Sequence, residues 1–230
     1  MLMIQAVNAT AGIFAGDRLT LQATLEPGAS VLLTSPSAHR IYTMPEGEAT
    51  LEQRIAIQSN AWLEWMPELF IPQRDARYRQ QTEMDIAAGG SMYFVETLAP
   101  GRVAHGETFA FKQLRWSTRI RHDGKLIHAE HYHLQPGNSS LHDVRVGGAA
   151  RYFASALLIH PAAISFRDWQ HQLNDWCKDG LIISGTMLAE QVYLFRLLTD
   201  GSERLKSALT RLRALLATAI PQLAENARKL

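Results

Sequence analysis

The sequence predicts a mainly β protein: a β-helix-like stack of strand-turn-strand repeats with C-terminal helices. Three observations lead there. A unit recurs in which a turn of small or polar residues launches an apolar run that stops at a proline. It occurs at Pro27-Gly28-Ala29-Ser30 running to Pro36, at Ser59-Asn60-Ala61 running to Pro67, and at Gly89-Gly90-Ser91 running to Pro100. Aligning Gly28, Asn60 and Gly89 gives spacings of 32 and 29 residues, a period at which repeat architectures are built. The segments ahead of these turns alternate apolar and polar residues, the mark of half-buried strands. Such a unit cannot bury its apolar face alone, so stacking copies is the natural solution. An ordinary antiparallel barrel accounts for the same alternation without using the repeat.

The elements follow in order. Ala11 to Asp17 is a small-residue loop in which Asp17 can cap its own turn. Arg18 to Leu25 alternates, with Leu19, Leu21, Ala23 and Leu25 on one side. Val31 to Thr34 is a fuller apolar strand, and Ile41-Tyr42-Thr43 adds a short third one. In the second copy Leu51, Gln53, Ile55 and Ile57 share a face, then Trp62 to Met66 and Leu69-Phe70-Ile71 follow the turn at Asn60. The third copy has Tyr78 to Ile86 and Met92 to Thr97. A fourth, looser copy runs from Phe109 to Ile120, turns at His122-Asp123-Gly124 and continues from Lys125 to Leu134; Asp-Gly between β-runs is a strong turn signal. From Gly147 the texture changes. Tyr152 to Ile164 could hold a buried strand. Ser165 to Cys177 places Phe166, Trp169, Leu173 and Trp176 at helical spacing, with Ser165 as cap. Leu181 to Met187 suggests a strand, and Ala189 to Leu198 is ambiguous. Ser202 to Ile220 forms an amphipathic helix with Leu205, Leu209, Leu212, Leu216 and Ile220 along one stripe, broken at Pro221.

Bulk properties narrow the function classes. A chain of 230 residues with 47% hydrophobic content can bury a sizeable core. We take residues 1–146 as the repeat body and 147–230 as the mixed strand and helix part of the same domain. Its 23 basic and 22 acidic residues leave a net charge of +1, which suggests neither nucleic acid nor an anionic membrane as partner. One cysteine, Cys177, excludes a disulfide framework or a multi-cysteine zinc site. The expected location is the cytoplasm, since the N-terminus has no basic leader and no apolar run reaches the roughly 18 residues of a membrane span.

No Gly-x-Ser-x-Gly elbow, His-Glu-x-x-His pair or dinucleotide fingerprint is present. His128, Glu130, His131 and His133 form the run HAEHYH on a predicted strand. There His131 and His133 share one face, while His128, Glu130 and Tyr132 share the other. The polar outer face of an edge strand is the plainer reading of them; imidazoles at i and i+2 also suit a divalent ion such as Ni²⁺ or Zn²⁺. Glu64 and Glu96 lie in strands otherwise built of Trp, Leu, Met, Tyr, Phe and Val. Buried carboxylates are rare unless paired or coordinating. Arg74, Arg77, Arg79 and Arg102 are the basic partners nearby in sequence. An enzyme using Glu64 and Glu96 as paired acids, or a β-scaffold with no metal role, are the alternatives.

In combination these residues resemble the urease accessory protein UreD (UreH) family. The resemblance rests on Gly16-Asp17-Arg18-Leu19, Pro27-Gly28-Ala29, Leu33-Thr34-x-Pro36 with Ile41-Tyr42, Leu63-Glu64-Trp65-Met66-Pro67 with Ile71-Pro72, Gly101-Arg102 and Gly106-Glu107-Thr108-Phe109. It departs at Thr10-Ala11-Gly12, where the family has Pro-Gly-Gly, and at the closing AENARKL. The resemblance implies a β-helix-like protein that is not a catalyst. It would act with a helical accessory protein (UreF) and a nickel-carrying GTPase (UreG) to deliver Ni²⁺ to apo-urease, with no tightly bound cofactor. It also implies an internal polar route for the ion, for which Asp17, Glu64, Glu96 and Glu130 are candidate lining groups, with His131 and His133 as further candidates. Carboxylates attract such an ion without the grip of several imidazoles or thiolates.

Overall fold

Strands β2 (Arg18–Leu25), β5 (Ala49–Ile57), β8 (Arg77–Ile86) and β10 (Gln113–His122) lie side by side and parallel, so the repeat is a coil. These and all following elements belong to a computed structural model that describes residues 1–136, 151–162 and 165–224. After each corner the chain enters a second wall: β3 (Ser30–Thr34), β6 (Trp62–Met66) and β9 (Ser91–Leu98) are again parallel. The short returns β4 (His39–Ile41) and β7 (Phe70–Pro72) stack on each other beside β9. The coil register reproduces the sequence spacing. Arg18 pairs with Thr50 and Ser30 with Trp62, both 32 residues on; Ala49 pairs with Tyr78 and Trp62 with Ser91, both 29 on. This is a solenoid, and the antiparallel barrel is set aside.

The fourth copy departs from the pattern. At Asp123-Gly124 the chain does not cross to the second wall. Instead β11 (Lys125–Leu134) folds back antiparallel on β10 and ends the five-stranded sheet, ordered β11-β10-β8-β5-β2. The reason is the turn itself: Asp123 and Gly124 both have positive φ (49° and 71°), the combination that makes a two-residue hairpin. The second wall is completed by β12 (Tyr152–Ile159), antiparallel to β9, then β14 (Val192–Thr199) and β13 (Leu181–Ala189). With an added parallel strand β1 (Leu2–Gln5) it is nine-stranded. Thus Ala189–Leu198 resolves into β14, and β1 had no sequence signal. The 146/147 border lies outside the described residues.

Helices α1 (Phe166–Trp176) and α2 (Ser202–Ala217) cover the outer face of the nine-stranded sheet. Ser165 occupies the cap position of α1, but its hydroxyl makes no capping bond. Trp62, Tyr93, Val95, Leu158 and Phe195 of the sheet pack there on Trp169, Leu173, Leu209, Leu212 and Leu216. The Arg211 guanidinium lies 3.9 Å over the ring of Trp176. Between the two sheets sit two apolar clusters, one around Leu33, Ile57, Trp65, Met84 and Phe94, the other around Ile41, Phe70, Tyr78 and Leu114. Among the described residues no helix is long and apolar enough to cross a membrane.

The corner residues aligned from sequence share one conformation. Gly28, Asn60 and Gly89 have φ of 75°, 57° and 75°. They are bonded from coil to coil, Gly28 N–H donating to Ser59 O at 3.2 Å and Asn60 N–H to Gly89 O at 3.2 Å. Left-handed backbone is easy for glycine, tolerable for asparagine and strained for a β-branched residue. Asn60→Val is therefore expected to lower unfolding free energy by about 1–2 kcal/mol, with Asn60→Gly close to wild type. Urea denaturation of the three proteins checks this, and equal midpoints would refute it.

Candidate functional site

The inward positions of the five-stranded sheet are apolar towards both ends and polar in the middle. Between Leu51 and Ile55 lies Gln53; between Tyr78 and Met84 lie Gln80 and Thr82; between Trp116 and Ile120 lies Thr118. The coil register sets Gln53, Thr82, Thr118 and Glu130 side by side in one transverse row. Thr82 Oγ1 donates to Gln53 Oε1 (2.8 Å), Gln80 Nε2 to Thr82 Oγ1 (3.3 Å), and the Tyr78 hydroxyl to Gln80 Oε1 (3.0 Å). On the facing sheet a second row holds Glu96, Ser155 and Arg196. The rows join at two places. Glu96 accepts from Trp116 Nε1 (2.7 Å) and Thr118 Oγ1 (3.0 Å). Arg196 bonds Glu130 and donates to the Tyr132 hydroxyl at 2.6 Å. Polar groups thus bridge the two walls through an otherwise apolar core.

The two carboxylates of this belt differ. Burial pushes Glu96 up to about 7, although Trp116 and Thr118 bond its anion. Burial also opposes ionisation of Glu130, but bonds from His128, Arg196 and Tyr132 and the Arg196 charge outweigh it and hold that carboxyl down to about 2. Glu130 is a committed anion with its own cation, and Glu96 is a carboxyl half-ionised near neutrality. A small cavity lined by His39, Gln53, Gln80, Glu96, Thr97 and Trp116 leaves about 20 Å³ for a water centre, room for one water. Among the described residues no three His, Cys, Asp or Glu side chains form a metal-holding group.

Of the residues singled out by sequence, Glu96 and Glu130 meet in this interior, while the other four lie elsewhere. Glu64 points to the opposite face of the sheet, fully buried under α2, where Arg213 grips it in a fork (Nε 2.5 Å, Nη2 2.9 Å). Glu64 and Glu96 therefore cannot act as an acid pair, because strand β6 shares its Glu64 face with Tyr93, not Glu96. Asp17 accepts the Phe14 N–H (2.9 Å) and closes its own loop. His131 and His133 lie exposed on the outer face of β11, an edge strand. The arginines near in sequence are not the partners of Glu64 or Glu96. Arg102 pairs with Glu107 (2.5 Å), five residues on in its own loop, and Arg79 faces Glu48 (3.9 Å), about one coil away. Sequence reasoning left out Thr82, Thr118 and Arg196. Gln53 on an otherwise apolar strand face was the available signal, and the 29-residue offset carries it onto Thr82.

Two outcomes test this site. Unfolded, Glu96 ionises near its ordinary value of 4.5, and in the fold near 7. Between those values the native state binds the extra proton, so this group's stabilisation is complete at low pH and lost as pH rises through the window. Glu96→Gln keeps the Trp116 bond and cannot ionise. Its melting temperature relative to wild type is expected to rise between about pH 5 and about pH 8, and a constant difference across that range would contradict the assignment. Arg213→Ala leaves Glu64 buried without its cation and is expected to cost about 3–5 kcal/mol, most of it recovered in Glu64→Leu/Arg213→Met. Chemical denaturation of the single and double variants separates a broken pair from a lost helix contact.

Comparison with known proteins agrees with this architecture. The profile of the UreD urease accessory protein family matches residues 1–229. A urease accessory protein UreD of Opitutus terrae is 37% identical over 232 residues, taking in 100% of this chain and 85% of that protein. The UreD of Acetivibrio thermocellus is 27% identical, over 93% of this chain and 81% of its own length. That of Paracoccus denitrificans is 33% identical over 68% of this chain, and the matched region spans 57% of its length. The chain belongs to the UreD family of urease accessory proteins, accessory factors rather than catalysts.

Proposed function

We propose that this protein conducts Ni²⁺ towards apo-urease, as the β-helical member of a cytoplasmic assembly with a UreF-like helical protein and a UreG-like GTPase. The observation that carries the proposal is Glu96: a carboxyl buried among Gln53, Gln80, Thr82, Trp116 and Thr118, with its acidity pushed to about 7. At neutral pH such an acid is close to evenly protonated and ionised, so it can present an anion to a passing cation and take its proton back afterwards. Passage needs that balance, because a site that holds its ion too firmly stops conduction. Glu130 is less suited, since Arg196 already neutralises it and repels a second cation. The ion's path therefore runs on the Glu96 side of the belt. With room for a single water in the resting cavity, the coils must part or the ion must shed its hydration shell to pass.

Complementation tests this. In a urease-producing host lacking its own UreD-type protein, the wild-type gene is expected to restore both activity and nickel content of purified urease. Glu96→Gln is expected to co-purify with the same partners but load several-fold less nickel. Full loading by Glu96→Gln would remove this carboxyl from the route. Failure of the wild type to bind those partners or load urease would end the delivery reading for this chain.

A further inference from the structure

The outer face of the five-stranded sheet is flat, solvated and patterned by the same coil register. Its transverse rows, strands about 4.8 Å apart, can be read off the pairing. One row is Arg18, Thr50, Arg79, Arg115 and His133. The next is Thr20, Glu52, Gln81, Ser117 and His131, and the one after is Gln22, Arg54, Glu83, Arg119 and Ala129. Acids on this face have nearby arginines: Glu52 bonds Arg54 at 3.2 Å, Glu83 lies 3.9 Å from Arg119 and Asp85 lies 3.8 Å from Arg121. The first row holds three arginines and a histidine and no acid of its own. Glu48 comes within 3.9 Å of Arg79, but among the described residues no carboxylate is within ion-pair distance of Arg18 or Arg115.

Donors also converge there. With its amide oxygen turned towards them, Gln113 accepts from Arg115 Nη2 (3.0 Å), His133 Nε2 (2.9 Å) and Gln135 Nε2 (3.0 Å). With Arg115 Nε at 3.2 Å as well, four donor atoms from three residues meet one neutral oxygen, the arrangement a carboxylate would find already assembled. Beside them lies a concavity of about 580 Å³, lined by Asp75, Arg77, Phe109, Phe111, Lys112 and Gln113 among others. It offers a socket for a protruding side chain.

We infer that this face is a docking surface for an acidic protein surface, centred on Arg18, Arg79, Arg115 and His133. A cation is the wrong ligand for His131 and His133, because guanidinium groups flank them and repel it. A nucleic acid backbone is disfavoured by Glu52 and Glu83 in the adjacent rows, which face a partner at fixed spacing. Folded proteins present both signs of charge at fixed points, and complementary rows of that kind set register and association rate. The histidines serve here as hydrogen-bond donors at the edge of the patch.

The choice of probe rests on the proposed function: purified apo-urease, titrated against the full chain by biolayer interferometry at about 50 and about 300 mM salt. Wild-type affinity is expected to fall with salt. Arg79→Glu/Arg115→Glu is expected to weaken binding by roughly tenfold or more, and Arg79→Gln/Arg115→Gln by less. Arg167→Glu/Lys206→Glu makes the same change in net charge on the exposed sides of α1 and α2 and is expected to leave affinity within about twofold. Circular dichroism confirms that each variant is folded. Absence of wild-type binding, equal affinity of wild type and the Arg79/Arg115 variants, or an equal loss in the helix control would each overturn the inference. Tighter binding of an oligo-dT strand than of apo-urease, abolished by Arg79→Glu/Arg115→Glu, would overturn it in favour of nucleic acid. Nickel loading by Glu96→Gln probes the interior alone, so failure there does not touch this face, nor the reverse.

Discussion

The structure depends on one constraint: every coil must bring its corner back into register with the corner before it. Left-handed backbone at Gly28, Asn60 and Gly89 fixes where each coil turns, and bonds between successive corners hold them in line. Because side chains alternate with period two, a slip of one residue would exchange inside for outside along a whole wall. The register therefore fixes the core, the interior and the surface together. The same offset that stacks Ile57 on Ile86 also stacks Gln53 on Thr82 and Thr50 on Arg79. Ladders of like residues appear inside and out because parallel coils repeat position as well as conformation.

That regularity explains what was legible beforehand. Coil spacing, corner residues, strand alternation and both helices follow from local pattern, and local pattern is what a sequence displays. The face assignment within HAEHYH follows from strand period alone, which is why Glu130 goes inward and His131 and His133 outward. Four features were hidden for definite reasons. Asp123-Gly124 marks a turn, but whether the chain crosses to the other wall or doubles back depends on backbone handedness at two residues. Strand β1 has only four residues and is largely exposed, so it lacks a pattern. The partner of Glu64 is 149 residues away, beyond any rule that looks for charges nearby in sequence. The bridging of Glu96 to Thr118 and of Glu130 to Arg196 is likewise a property of two walls facing each other.

The three charged centres illustrate how surroundings, not residue type, assign roles. Glu64 is buried and matched by a forked guanidinium, so it fastens α2 to the sheet. Glu130 is partly buried and matched by Arg196, so it ties the hairpin to the second wall. Glu96 is buried and, among the described residues, bonds neutral donors and pairs with no cation, so its proton is the labile one. Sequence gives all three as glutamates in strands. What separates them is which side of a strand they occupy and what the facing layer supplies, and that is decided by the topology.

The tie between Glu64 and Arg213 also bears on synthesis. A ribosome adding about 5–20 residues per second makes Glu64 on the order of 10–30 s before the arginine that neutralises it, given the 149 residues between them. Throughout that interval the coils can stack, since each needs its neighbour from one coil earlier. The helix-facing side of the second wall, with Trp62, Tyr93, Val95 and an unmatched carboxylate, stays uncovered. The nascent chain thus passes through a stage with a finished solenoid and a sticky, anionic back, the stage at which aggregation or early capture by another protein is decided.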